Sequence, residues 1–419
     1  MIKAIRGTKD ILPSEISRWH HLENIIKHIF SNFNYKEIRT PVFEETTLFA
    51  RSIGEETDIV SKEMYTFKDK GDTSMTLKPE MTAGVVRAFI EHSLGGQQPL
   101  TKLFYISPMF RQERPQAGRL RQFHQFGGEA LGSVSPVLDA ELIQISYDIL
   151  ISLGLKDLTV KINSLGVSES REKYKKLLRE FLLNKKNKLS EDSRKRFDTN
   201  IFRIFDSKIE SDQELLESAP LFIDHLDEES KNHFEVVKEY LDKISIPFEI
   251  DPKLVRGLDY YTKTTFEIIS KKVGSQSALV GGGRYDLLAE QLGGKATPAV
   301  GFAAGMERIL LACESENSFS VKDDVIDVYI VRIDEELEMF VSETASNLRR
   351  AGLKIDYDYL NRSVKAQMRE ANKLKTRFVL LIGGEEFRDG EIKLKDMKSG
   401  EEINYSLSSL NLIVDRLKK

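Results

Sequence analysis

With a single cysteine, Cys313, a chain of 419 residues can form no intramolecular disulfide and no cysteine-rich zinc site. The seven histidines add no Cys/His cluster of metal-ligand spacing, so no metal site of that kind is expected. Apolar runs long enough to span a bilayer are also missing, which excludes a membrane helix. Charge of one sign is not in excess either: 62 Lys and Arg stand against 66 Asp and Glu, a formal net charge of -4. Overall charge therefore gives no hint of nucleic acid, and any RNA site must be a local basic surface. The opening residues carry Lys3, Arg6, Lys9 and Asp10 without an apolar segment, so they do not read as a secretory signal, and a reducing cytoplasm is the expected location. Gly281, Gly282 and Gly283 could cradle a phosphate, yet no strand followed by a GxGxxG helix start contains them, and a dinucleotide fingerprint is rejected.

What is present is organised around residues 103–131. Leu103–Phe110 and Gln122–Leu131 read as two strands joined by a loop, an antiparallel pair. Pro115 and Gly118 keep the connection from being helical, and Arg111, Arg114, Arg119 and Arg121 make it cationic with only Glu113 opposed. On the second strand Gln125, Gly127 and Glu129 share one face and His124 and Phe126 the other. An amide and a carboxylate therefore stand near a guanidinium, which can grip two phosphate oxygens through its planar fork of donors. A solvated basic hairpin is the plainer reading of those arginines taken alone.

The length implies two or three domains. Ile16, Trp19, Leu22, Ile25, Ile26, Ile29, Phe30 and Phe33 recur at helical spacing over 14–33. A strand over 35–43 contains Pro41, which favours an edge, a bulge or an interface. Short strands at 63–67 and 74–77 precede a helix expected to start at Pro79, with Glu80 in its first turn, where a carboxylate suits the helix dipole. A helix over 139–154 and a strand over 159–163 lead into a charge-rich helical stretch at about 167–240, a candidate inserted domain. Strand-like sequence returns at 254–269 with Arg256, Tyr260 and Tyr261. A polar linker at 313–324 precedes strands at 327–333, 354–359, 377–382, 391–396 and 401–406, alternating at first with helices. That is an open α/β domain spanning 324–419 behind a first domain of 1–323. On its second helix Lys365, Arg369 and Lys373 form a cationic stripe suited to phosphate contact.

Residues 110–128 resemble the second signature motif of class II aminoacyl-tRNA synthetases, in the version found in histidyl-tRNA synthetases. The run Arg256, Gly257, Leu258, Asp259, Tyr260, Tyr261 is similar to a hexapeptide specific to that family. Residues 35–43 resemble the first class II motif and 299–311, with Gly301, Gly305, Glu307 and Arg308, the third. The resemblance implies an α+β fold: a catalytic domain with an antiparallel sheet flanked by helices, a helical insertion, and a C-terminal α/β anticodon-binding domain. It implies ATP-dependent attachment of histidine to tRNA(His) through histidyl-adenylate, with Mg²⁺, in a homodimer. By the same resemblance Arg111 and Arg256 are catalytic. Glu80, Thr82, Arg111, Gln125, Glu129, Arg256, Tyr260, Tyr261 and Tyr285 would hold histidine. Arg111, Glu113, Arg119 and Arg308 would bind ATP, and Arg114 and Gln116 would meet the tRNA acceptor end. The other class with this fold, a histidine-binding regulatory subunit of ATP phosphoribosyltransferase, typically lacks the anticodon domain and loses motif residues. Lys78 stands where many relatives carry arginine.

Overall fold

The computed structural model describes residues 2–54, 57, 59–116, 118–255, 260–272, 278–318 and 325–417. Two compact units divide the chain, Met1–Val321 and Lys322–Lys419. In the first, α1 (Pro13–Asn32) leads to β1 (Lys36–Glu37), β2 (Phe43–Glu45), α2 (Thr46–Ile53), β3 (Tyr65–Lys68), β4 (Ser74–Leu77), α3 (Thr82–Glu91) and α4 (Leu94–Gln97). Then come β5 (Thr101–Phe110), β6 (Gln122–Leu131), α5 (Pro136–Ser152) and β7 (Leu158–Ser164). A helical stretch follows, α6 (Ser168–Leu183), α7 (Glu191–Asp198), α8 (Glu210–Glu217) and α9 (Glu228–Lys243). After it lie β8 (Phe248–Ile250), β9 (Thr262–Ser270), β10 (Ala278–Arg284), α10 (Leu288–Gln291), β11 (Ala299–Gly305) and α11 (Met306–Glu316).

Eight of these strands form one sheet in the order β1-β5-β6-β11-β10-β9-β7-β8, antiparallel except at its two margins, where β1 runs parallel to β5 and β8 to β7. The strand expected over 35–43 is broken. Pro41 cannot donate to a ladder, so two residues pair with β5 and the chain resumes as β2 in a separate sheet with β3 and β4. One face of the large sheet is covered by α1, whose Trp19, Leu22, Ile26, Ile29 and Phe30 are buried at helical spacing. Phe30 stacks on Phe104 of β5, with ring centroids 4.8 Å apart. Helix α5 is apolar around most of its circumference because α1, α9 and the sheet enclose it. In the helical stretch Asp212 accepts from the hydroxyls of Ser190, Ser193 and Ser207, each at 2.6 Å, which ties α7 and α8 together.

The expected start of a helix at Pro79 is displaced. Residues 78–80 are neither helix nor strand, with a bend at Pro79, and Glu80 turns its carboxylate onto the N–H groups of Thr82 at 2.6 Å and Ala83 at 3.0 Å. Those donors have no partner within a helix that begins at Thr82, so the side chain defines its first turn.

The second unit contains β12 (Val328–Arg332), α12 (Glu338–Arg350), β13 (Ile355–Tyr357), α13 (Val364–Lys373), β14 (Phe378–Ile382), α14 (Gly384–Arg388), β15 (Glu391–Asp396), β16 (Glu402–Ser406) and α15 (Leu410–Leu417). Its sheet has the order β13-β12-β14-β15-β16, parallel over the first three strands and antiparallel thereafter. Helix α13 buries Gln367 and Ala371 against it and leaves Lys365, Arg369 and Lys373 exposed.

Candidate active site

A cavity of about 350 Å³ lies over the middle strands of the eight-stranded sheet, its wall drawn from β6, β9, β10, β11, the loop after β5 and the first turn of α11. Strand β6 contributes Gln125, while Glu129 lies two pleats further on the same face. Two groups of side chains share the cavity.

The first group is buried and holds carboxylates among tyrosines. Glu129 is fully buried. Its Oε1 accepts from the Thr82 hydroxyl at 2.8 Å and its Oε2 from the Tyr285 hydroxyl at 2.5 Å. Burial pushes its carboxyl up to about 8, against the pull of the Tyr285 and Thr82 hydrogen bonds. Glu129 Oε2 lies against the wall residue Gly301, and Thr82, Tyr285 and Gln125 face the cavity. Burial also raises Glu80, with the two helix N–H groups opposing it. Tyr260 packs edge-on to Tyr285 at 5.6 Å and tilted against Tyr261 at 4.7 Å. Gln125 Oε1 is buried and has no hydrogen-bond partner.

Two glycines make room for this arrangement. Gly301 of β11 pairs with Glu129, and a Cβ there would overlap the Glu129 carboxylate. Gly127 pairs with Tyr105 of β5, whose ring fills the space a side chain at 127 would need. Tyr105 is fully buried and lies close enough to Glu129 and Glu80 for their charges to raise its hydroxyl further above the value that burial sets. Sequence reasoning missed Tyr105. Its only trace is an aromatic on β5 that meets a glycine once the strand register is known.

The second group is cationic. Arg111 donates Nε–H to the Pro79 carbonyl at 2.9 Å, lies over the Phe123 ring at 5.3 Å and stands 3.7 Å from Glu113. Arg119 reaches the other Glu113 oxygen at 3.3 Å. Arg308 donates to the carbonyls of Gly118 at 3.2 Å and Ala278 at 3.1 Å, which fixes its guanidinium across the cavity mouth. Burial lowers its affinity for a proton, and the positive charges of Arg119 and Arg111 add to that against Glu113. Three guanidiniums around one glutamate leave this part seeking an anion. Glu307, one residue earlier, accepts from the His124 backbone N–H at 2.9 and 3.0 Å and meets its Nδ1 at 2.9 Å, locking the start of α11 to β6.

Arg114 and Gln116 lie outside the cavity wall. Arg114 is exposed in a shallow recess with Arg6 and Arg121, and Gln116 pairs through its backbone with Arg119 at the exposed tip of the loop. Arg256 lies outside the described residues. Below the cavity is a buried charge network that the sequence did not reveal. Arg284 contacts both oxygens of Asp139, Asp286 and the carbonyls of Ser133 and Ser135, while His233 Nε2 meets Asp139 Oδ2 at 2.7 Å. Burial alone would raise Asp139, but the Arg284 guanidinium holds it below the ordinary carboxylate range. Among the described residues no three His, Cys, Asp or Glu side chains are arranged to hold a metal ion.

Residues 7–309 match the family described as histidyl-tRNA synthetase, and residues 327–417 match the anticodon binding domain. A curated relative from Thermoanaerobacter pseudethanolicus, named histidine-tRNA ligase, is 48% identical over 410 residues, 98% of either chain. One of the same name from Halothermothrix orenii is 48% identical over 409 residues, again 98% of each. Among solved structures, the apo histidyl-tRNA synthetase of S. aureus superposes with a TM-score of 0.85 at 41% identity, and the match covers the whole of both chains.

Proposed function

This chain belongs to the histidyl-tRNA synthetase family and is an ATP-dependent histidine-tRNA ligase, and from that premise we propose how its cavity divides the work. The buried group takes histidine. Glu80 and Gln125 accept from the α-amino group, with Thr82 beside them. The carrying observation is Gln125 Oε1, a buried acceptor that no protein group satisfies. Leaving such a group unpaired costs about 1 to 3 kcal/mol unless a ligand donates to it. Each oxygen of Glu129 retains a second acceptor direction, so it can receive an imidazole N–H while Tyr261 offers its hydroxyl to the other ring nitrogen. Tyr260 and Tyr285 enclose the ring. An amino acid lacking those nitrogens would leave buried polar groups unpaired, so discrimination needs no editing step.

The cationic group takes ATP. Arg111 grips the α-phosphate, Arg119 and Glu113 flank the phosphates and base, and Arg308 holds the adenine and the γ-phosphate. A histidine carboxylate oxygen bonds to the α-phosphorus and the bond to the bridging oxygen breaks, releasing pyrophosphate. The terminal hydroxyl of tRNA(His) then attacks the carbonyl, and AMP leaves. Two anions must meet in the first step, so fixed guanidiniums supply much of the rate. Arg256, by family resemblance, reaches the histidine carboxylate and the α-phosphate. Glu113 and Glu267, carboxylates on the cavity wall, would hold Mg²⁺ together with the ATP phosphates, whose charge the ion would neutralise.

Arg114 and Gln116, exposed on the loop, meet the tRNA acceptor end. Residues 324–419 read the anticodon arm, with Lys365, Arg369 and Lys373 on phosphates. We assign the 1–323 and 324–419 division to catalysis and anticodon binding, the helices at about 167–240 to an insertion, and the active form to a twofold homodimer built through α1 and the segment ending at Pro41. No described helix is long and apolar enough to cross a membrane; we assign the enzyme to the cytoplasm on its likeness to the family. A regulatory subunit of ATP phosphoribosyltransferase would need neither the cavity arginines nor an anticodon unit, and this chain carries both. The test is exchange of labelled pyrophosphate into ATP. It should require histidine, and equal exchange with another amino acid would refute the assignment.

A further inference from the structure

The segment that carries the two wall tyrosines is held from outside the cavity at several points by the borders of the helical stretch. Arg171, in the first turn of α6, donates Nη1–H to the Tyr261 carbonyl at 2.7 Å. Two residues on, Lys263 exchanges backbone hydrogen bonds with the approach to α6: Leu165 N–H to Lys263 O at 2.6 Å and Lys263 N–H to Gly166 O at 3.0 Å. The buried Lys263 ammonium reaches Glu229, in the first turn of α9, at 2.6 Å. Lys263 has φ of 44°, a left-handed conformation that a lysine keeps only where its surroundings impose it. Tyr260 and Tyr261 also belong to the same apolar cluster as Leu165, Tyr174, Phe222 and Leu226 of the helical stretch.

We propose that Arg171 is a positioning residue for the imidazole pocket, through which the helical stretch sets the affinity for histidine. This rests on the reading that the cavity holds histidine beside Tyr261. Fixing the carbonyl at 261 fixes the peptide plane after it, and with it the direction in which the tyrosine ring enters the wall. Arg171 is itself only half-buried, so its replacement leaves the apolar cluster around the two tyrosines in place. The cationic group hangs from different elements, the loop after β5 and α11, and is not touched by this contact. The consequence is a split: histidine affinity depends on Arg171 and ATP affinity does not.

The experiment compares the full chain with Arg171→Gln, Arg171→Lys, Glu229→Gln and, as a control on the exposed side of α6, Lys173→Ala. In histidine-dependent pyrophosphate exchange, Arg171→Gln should raise the KM for histidine roughly tenfold, the size expected for one lost charge-assisted hydrogen bond, with the KM for ATP within about twofold. Arg171→Lys should recover part of the loss, since an ammonium can still donate to a carbonyl. Glu229→Gln should move in the same direction by less, and Lys173→Ala not at all. Hydrogen exchange in the ligand-free protein provides a readout independent of substrate: the Lys263 amide should lose protection in Arg171→Gln while the β5–β6 amides keep theirs. An unchanged histidine KM, an equal rise in both KM values, or unaltered Lys263 protection would overturn the proposal. If histidine fails to support exchange in the parent chain, the ligase reading falls, and the Lys263 protection still decides whether Arg171 holds the tyrosine segment.

Discussion

The two halves of the cavity lie over the same sheet and differ in almost every other respect. Around Glu129 the groups are buried, neutral or acidic, and already hydrogen-bonded to one another before any ligand arrives. Around Arg111 and Arg308 they are cationic and nearer the solvent, and they are held mostly by backbone carbonyls. A buried, mutually bonded site suits discrimination, because a wrong ligand strands polar groups that water cannot reach. An open ring of guanidiniums suits charge development on a phosphorus, where fixed positive charge is worth most in the transition state. On the proposed roles of these residues, selectivity and rate enhancement can be altered separately in this molecule.

The sharpest way to break that comparison is at the cationic half. Arg111→Ala should lower the rate of adenylate formation by roughly a hundredfold to a thousandfold, as loss of one preorganised transition-state donor does. Its melting temperature should shift little, because the side chain lies at the cavity wall and not in the core. A variant that folds and keeps the parent rate in a single-turnover assay would show that rate enhancement does not reside here.

Next in size is Glu129→Gln, which should raise the KM for histidine by about 1 to 3 kcal/mol in binding terms and leave the KM for ATP nearly unmoved. The same variant tests the electrostatics. The Glu129 carboxyl sits at about 8 in the folded protein against an ordinary value near 4.5, so the native state binds the proton more tightly than the unfolded chain. Its contribution to stability is therefore fully present below about 4.5 and is lost as pH rises through about 8. Urea titrations of the ligand-free protein between those limits should show a decline in stability that flattens in Glu129→Gln; equal slopes would mean that the carboxyl is not buried as described.

Gly301→Ala should destabilise the fold by about 1 to 3 kcal/mol and weaken histidine use as well, since the added methyl and the Glu129 carboxylate cannot occupy the same place. A parent-like melting temperature would contradict the pairing of Gly301 with Glu129. The smallest effect belongs to Tyr105→Phe, which retains the ring opposite Gly127 and removes only a hydroxyl near Glu129. Its cost should be about 1 kcal/mol or less, visible in histidine KM and absent from ATP KM. A loss on the ATP side alone would place Tyr105 in the wrong half.

Much of this was legible in the residues alone. Strand alternation put Gln125 and Glu129 on one face, helical spacing picked the buried face of α1, and the run of strands and helices after residue 327 gave an α/β domain. Each of those follows from periodicity, a property of consecutive residues, which needs no knowledge of what lies opposite. Glu80 shows where that reasoning stops. Its place near a helix start was readable, but the three-residue delay was not, because the carboxylate itself replaces the first turn that Pro79 was expected to begin. Tertiary structure alone decided which strand faces which. Glu129 meets Tyr285 and Thr82, Tyr105 fills the space beside Gly127, and Arg284 finds Asp139 and His233 only because the order β5-β6-β11-β10-β9 brings together residues that local pattern cannot relate. Alternation tells a side chain which face to take; the pairing of distant strands, set by the burial of the whole sheet, chooses its neighbours.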